Sequence, residues 1–226
     1  GYITTTSFGV YFFKYAYRDE GMYTPFGAVL GIAQLTGFLI FPLFRRRFSR
    51  RTLYSAATAT IVAGYLLFFF APMNMIWIGA AGLMIFMGQA FVVLLMLVFI
   101  TDCIEYGHWK LGNRNAAVTF ALQPFINKVG AALATQVVSV VVIVYVRKSA
   151  LVSGIAAAAR PAVVSVYGLL LMRMTMLVFP LVLIVAGYLI YRAKYRIDET
   201  FYARIISDLT ERGQLTTDQG IAAKAD

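Results

Sequence analysis

The chain has 226 residues, 61% of them hydrophobic and only 13% charged, with a formal net charge of +10. Soluble domains typically carry about 25% charged residues, so this chain cannot coat a globular surface, and an integral membrane protein is expected. The basic residues sit in short blocks between apolar runs, which is the pattern of membrane topology and not of a nucleic-acid groove.

In chain order, residues 1–17, "GYITTTSFGVYFFKYAY", are apolar and lack the charged start and small-residue cleavage site of a signal peptide. They read as the later part of a transmembrane helix, so a longer parent protein is expected. Five runs follow that reach the roughly 20 apolar residues a membrane helix needs: about 24–44, 52–71, 75–101, 116–146 and 165–191. Gly27 and Gly31 form a small-residue pair, and Ala131, Thr135 and Ser139 a small-residue stripe, of the kind that lets helices approach closely in lipid.

Arg45, Arg46, Arg47, Arg50, Arg51, Lys110, Arg114 and the basic residues of the tail fall on one side of the membrane. Lys14, Arg18, Arg147, Lys148 and Arg160 fall on the other. The positive-inside rule places the richer side, and with it the C-terminus, in the cytoplasm. "TDCIEYGHWKLGNRN", residues 101–115, gathers Asp102, Glu105, His108, Lys110 and Arg114 between two uncharged runs. The topology makes it a cytoplasmic connection, where such charges are expected. Cys103 and His108 are too few for a metal site. No nucleophile–base grouping and no glycine-rich phosphate loop stands out, so neither an enzyme nor a bound cofactor is expected.

Lys128 lies near mid-depth of the run 116–146, where an ammonium costs several kcal/mol unless paired or wetted. None of the ten acidic residues lies at mid-membrane. Lys128 therefore needs a carboxylate from elsewhere, a watered cavity, or a path to the interface. Gln123, Asn127 and Gly130 share a face next to it, and Pro124 loosens the helix. Two amides and an ammonium suit a hydroxyl-rich ligand; amide bonds between helices are the alternative. Arg173 lies nearer the outer surface. In the tail, 192–226, Phe201, Ile205 and Leu209 define one face of a short amphipathic helix, packed on the bundle or on headgroups. The last residues, "QLTTDQGIAAKAD", are expected to be mobile.

"TDCIEYGHWKLGNRNAAVTFALQPFINKVGAALA" resembles the region joining the tenth and eleventh helices of the glycoside–pentoside–hexuronide:cation symporters. This is the group of the melibiose permease and the lactose transporters of Gram-positive bacteria. The pattern D-x-x-D/E-Y-G-x-x-K-x-G-x-R, followed by K-x-G, is met by Asp102, Glu105, Tyr106, Gly107, Lys110, Gly112, Arg114, Lys128 and Gly130. The likeness extends to "VYFFKYAYRDE", "SRRTLYSAA" and "YRAKYRIDETFYARII". It implies an all-α transmembrane fold: the C-terminal six-helix bundle of a twelve-helix major facilitator, first helix incomplete, in a bacterial plasma membrane.

The resemblance also implies partners. These are a sugar or glycoside substrate, a coupling cation (Na⁺ or H⁺) and the N-terminal six-helix half, which carries most of the cation site; no nucleic acid is involved. Lys128, Gln123 and Asn127 are then the substrate and coupling residues. Asp102, Glu105, Lys110 and Arg114 form a cytoplasmic ion-pair cluster that stabilises one conformation. Ala116 stands where many members have Glu, and Val93 where the melibiose permease has a cavity-lining Trp. A lysolipid-type transporter on the same fold and a non-transporting structural or sensory bundle are the competing readings.

Overall fold

The computed structural model describes residues 1–17, 19–72, 74–113, 115–152, 170, 172–195 and 199–212. Among them the secondary structure is all helical. α1 (Tyr2–Tyr11) passes into a wide turn over Phe12–Tyr17 and a short Glu20–Met22 turn. α2 (Tyr23–Arg45), α3 (Arg50–Phe70), α4 (Met75–Leu111) and α5 (Ala116–Val152) follow. A wide turn at Met174–Val178 leads into α6 (Phe179–Lys194), and α7 (Glu199–Glu211) ends the described chain. Five segments are long and apolar enough to cross a membrane: Tyr23–Arg45, Arg50–Phe70, Met75–Leu111, Ala116–Val144 and Met174–Lys194. The segment 214–226, expected to be mobile, lies outside the described residues, as do Arg18, Arg114 and 153–169.

α4 is the axis of the bundle, with α2 and α3 packed along it. Lipid tails are as apolar as leucine, so close backbone approach and not water exclusion drives this packing. Glycines make it possible. A Cβ on Gly88 would lie 2.9 Å from the Ala57 carbonyl oxygen, and one on Gly64 would lie 3.1 Å from that of Ala81. A Cβ on Gly37 would meet that of Ala90 at 2.6 Å. Gly27 and Gly31, the pair singled out in the sequence, have nothing near their Cβ positions. Thr135 and Ser139 are exposed. Those stripes do not pack within the described bundle, because a small residue opens a face only where a neighbouring helix lies.

α1 and the wide turn after it fill the centre with buried Phe8, Phe12 and Phe13. Phe13 meets Phe26 of α2 at 5.0 Å between ring centroids, and Phe12 meets Phe68 of α3 at 5.3 Å. A polar clasp ties the same helix to α3 and to the α6 segment. Thr5 Oγ1 donates to the Met176 carbonyl at 3.2 Å, so the 2.6 Å contact between Thr5 Oγ1 and Tyr65 has the phenol donating. Pro180 explains the free carbonyl. In an α-helix the N–H of residue 180 would bond the oxygen of 176, and proline has none.

α4 differs most from its sequence-based boundary. The run was expected to end at 101, yet the helix continues to Leu111 and closes on Gly112, whose φ of 73° is left-handed. Its 37 residues span about 55 Å at 1.5 Å each, against a hydrocarbon core of about 30 Å. The charged stretch is therefore mainly a helical post extending beyond the apolar core.

Candidate functional site

The post brings together residues from four helices. α3 begins at Ser49, whose hydroxyl accepts the Thr52 N–H at 3.3 Å and caps the helix. That start directs Arg50 towards α4. Arg50 Nη1 donates to Asp102 Oδ1 at 2.5 Å, and the Tyr195 hydroxyl, just past α6, donates to Asp102 Oδ2 at 2.7 Å. Asp102 is 2% exposed. The Arg50 guanidinium lies 5.0 Å from the Tyr202 ring centroid of α7, a cation–π contact. One buried carboxylate thus ties α3, α4 and the end of α6, and Arg50 extends the link to α7. Burial first, and then the Asp102 carboxylate, push the Tyr195 phenol pKa far above 10.

α7 completes this end. Tyr202, Ile205, Ile206 and Leu209 are buried against Tyr106, Trp109 and Phe201. The Trp109 Nε1–H donates to Asp208 Oδ2 at 3.0 Å. Burying four such side chains on a water-facing end contributes about 1.5–3 kcal/mol each, a driving force absent inside the bilayer. His108 is buried, with Nδ1 4.0 Å from Glu105 Oε2.

The expected ion-pair cluster takes a different form. Asp102 bonds Arg50 and Tyr195, neither of which was assigned to it from sequence. Lys110 is exposed, with its ammonium 5.8 Å from the Tyr106 ring centroid. Glu105 is buried beside His108, and Arg114 lies outside the described residues. The burial of Asp102 had a signal in the sequence, although its partners had none. Ala81, Gly88, Leu95 and Asp102 recur every seven residues and all are buried, so Asp102 continues the packed seam of α4.

The second group lies on α5. Asn127 and Lys128 are exposed and Gln123 is half-buried. Lys128 stands about 18 Å along the helix from Ala116. Among the described residues no carboxylate pairs with it. α5 packs through Ala134 and Val138, mainly on α1. Between 116 and 133 no described residue is buried. The structure does not bring Lys128 together with Asp102 or Glu105. Val93 is half-buried on α4. No group of three or more His, Cys, Asp or Glu that could hold a metal occurs among the described residues.

Apolar spans around one axial helix, a buried ion pair at one end and an unpacked amide–ammonium face define an all-α polytopic membrane protein. The chain belongs to the MFS/sugar transport protein family, whose profile matches residues 1–199. This is a family of transporters. The chain is similar to a raffinose carrier protein of Pediococcus pentosaceus, 26% identical over 94% of this chain and 33% of that protein. It is 30% identical to a lactose permease of Lactobacillus helveticus, over 90% of this chain and 31% of the permease. A putative 2,3-dihydroxypropane-1-sulfonate exporter of Salmonella typhimurium is 26% identical, over 90% of this chain and 42% of the exporter. The chain spans about a third of the length of the first two of these relatives. No solved structure matches it significantly.

Proposed function

We propose that this chain is the C-terminal half of a secondary active symporter that moves a glycoside, pentoside or hexuronide with H⁺ or Na⁺. The observation that carries the reading is the family match over residues 1–199, in a chain whose relatives include a raffinose carrier and lactose permeases. Transport proceeds by alternating access, with this bundle rocking against an N-terminal six-helix half.

The unpacked face of α5 meets that half. Lys128 pairs there with a membrane carboxylate, and Gln123 and Asn127 hydrogen-bond sugar hydroxyls or order water. The coupling cation binds mainly on the other half. The Arg50–Asp102–Tyr195 cluster lies on the cytoplasmic side, together with α7 and the C-terminus, and is a latch holding one conformation. Glu105, Lys110 and Arg114 lie at its edge, where they bias the same equilibrium.

A sulfonate is the second reading of the substrate. It is supported by the exporter relative and by an ammonium with no carboxylate beside it among the described residues. The test is ion-gradient-driven uptake by the full-length protein in vesicles, with a labelled glycoside competed by neutral sugars, hexuronides, sulfonates and lysolipids. Competition by neutral sugars or hexuronides supports the first reading, and by sulfonates alone the second. Competition by lysolipids alone, or no flux, rejects both.

A further inference from the structure

We propose that the cleft between α2 and α3 holds one anionic phospholipid, an acyl chain lying in the cleft and the phosphate at Arg46 and Arg47. α2 and α3 each pack along α4 and scarcely touch one another, which leaves a cleft with α4 as its floor. Its walls are Phe44 of α2 and Leu53, Ala56 and Thr60 of α3; Met87 and Phe91 form the floor of an open groove of about 130 Å³. Thr60 turns its hydroxyl to the Ala56 carbonyl at 2.9 Å, so even the one polar side chain can present its methyl group. All three helices are long and apolar enough to cross the membrane. An acyl chain is the molecule present at that depth with the shape to fill such a groove.

The mouth selects the headgroup. The short turn joining the two walls carries Arg46 and Arg47, both exposed, and neither has an ion-pair partner among the described residues. The same turn ends at the N-terminus of α3, whose helix dipole favours an anion. Phe48 stacks on Phe44 at 6.0 Å between centroids, just past the end of α2, and aromatic rings collect at the headgroup level. A basic residue near the membrane surface strengthens anionic lipid binding by on the order of fivefold. A choline headgroup would instead bring a fixed positive charge to the same two guanidinium groups. No residue of α5 lines the cleft, so this lipid stands apart from the proposed transport face.

The test is native mass spectrometry of the full-length protein in detergent, titrated with dioleoylphosphatidylglycerol or dioleoylphosphatidylcholine. The wild type should retain one phosphatidylglycerol with at least about a tenfold preference over phosphatidylcholine. Arg46→Gln with Arg47→Gln should reduce that preference to about twofold or less. Ala56→Trp should expel the lipid with both arginines intact; Thr60→Leu, a milder filling, should weaken it if the tryptophan variant does not fold. Equal retention of the two lipids by the wild type would overturn the proposal. So would unchanged retention in a folded cleft-filling variant, or a dimer that such a variant dissociates.

Discussion

Asp102→Asn removes the charge that Arg50 answers while keeping the size and one acceptor of the side chain. Removing one partner of a buried pair costs about 3–5 kcal/mol, because the other charge is left buried. The Arg50 side chain is 14% exposed and that of Asp102 3%, so water reaches the guanidinium and the lower end of that range applies. The Tyr195 hydroxyl can still donate to the new amide oxygen, although a bond to a charged acceptor is roughly twice as strong. Arg50 keeps the Tyr202 ring. The expected loss is therefore about 3 kcal/mol, or on the order of 100-fold in the equilibrium between the closed and open end. Hydrogen exchange followed by mass spectrometry reads this directly. Amides of α7 should exchange on the order of 100-fold faster, while those around Ala81–Gly88 stay unchanged. Arg50→Gln with Asp102→Asn should recover part of the protection, since no buried charge is then left unanswered. A change of less than about threefold in α7, under 1 kcal/mol, would refute the latch.

The polar clasp gives a second expectation. Thr5→Val strands both the Met176 carbonyl and the Tyr65 hydroxyl, at a cost of about 1–3 kcal/mol each; Tyr65→Phe removes one bond and costs about 1 kcal/mol. Thermal unfolding in detergent should rank them in that order. Gly88→Ala should destabilise by about 1–3 kcal/mol, since its methyl meets the Ala57 carbonyl, whereas Gly27→Ala should leave the melting temperature unchanged or raise it. The pKa of Tyr195 is raised in the folded state, so its neutral form is the one folding favours. Its stabilisation is complete below pH about 10, the unfolded value, and is lost as pH rises towards the folded one. Docking of α7 should loosen above about pH 10, and Tyr195→Phe should diminish that alkaline step as seen by tryptophan fluorescence.

The membrane-spanning runs were legible because bilayer thickness dictates their length and hydropathy, and α2 and α3 lie within two residues of the expected 24–44 and 52–71 at both ends. The end of α4 was not. The charges of "TDCIEYGHWK" suggested a wet connection, yet Asp102 and Glu105 are buried because α3, α6 and α7 close over the post. The seven-residue seam from Ala81 to Asp102 carried that information, and charge density obscured it. Glycine spacing misled for a related reason. Gly27 and Gly31 have the right interval on the wrong face, whereas Gly37, Gly64 and Gly88 sit where neighbours approach, which no local pattern states. Arg50 and Tyr195 lie 52 and 93 residues from Asp102, so their meeting depends on topology alone. For Lys128 the depth could be read from the sequence, but a partner could not, since no carboxylate reaches it among the described residues.

The most direct measurement is uphill uptake of a labelled glycoside by the full-length protein in vesicles, comparing Lys128→Ala with the wild type under an imposed cation gradient. The proposed coupling role requires accumulation to collapse in the variant while the protein still inserts and folds. Full accumulation with Lys128→Ala would contradict it.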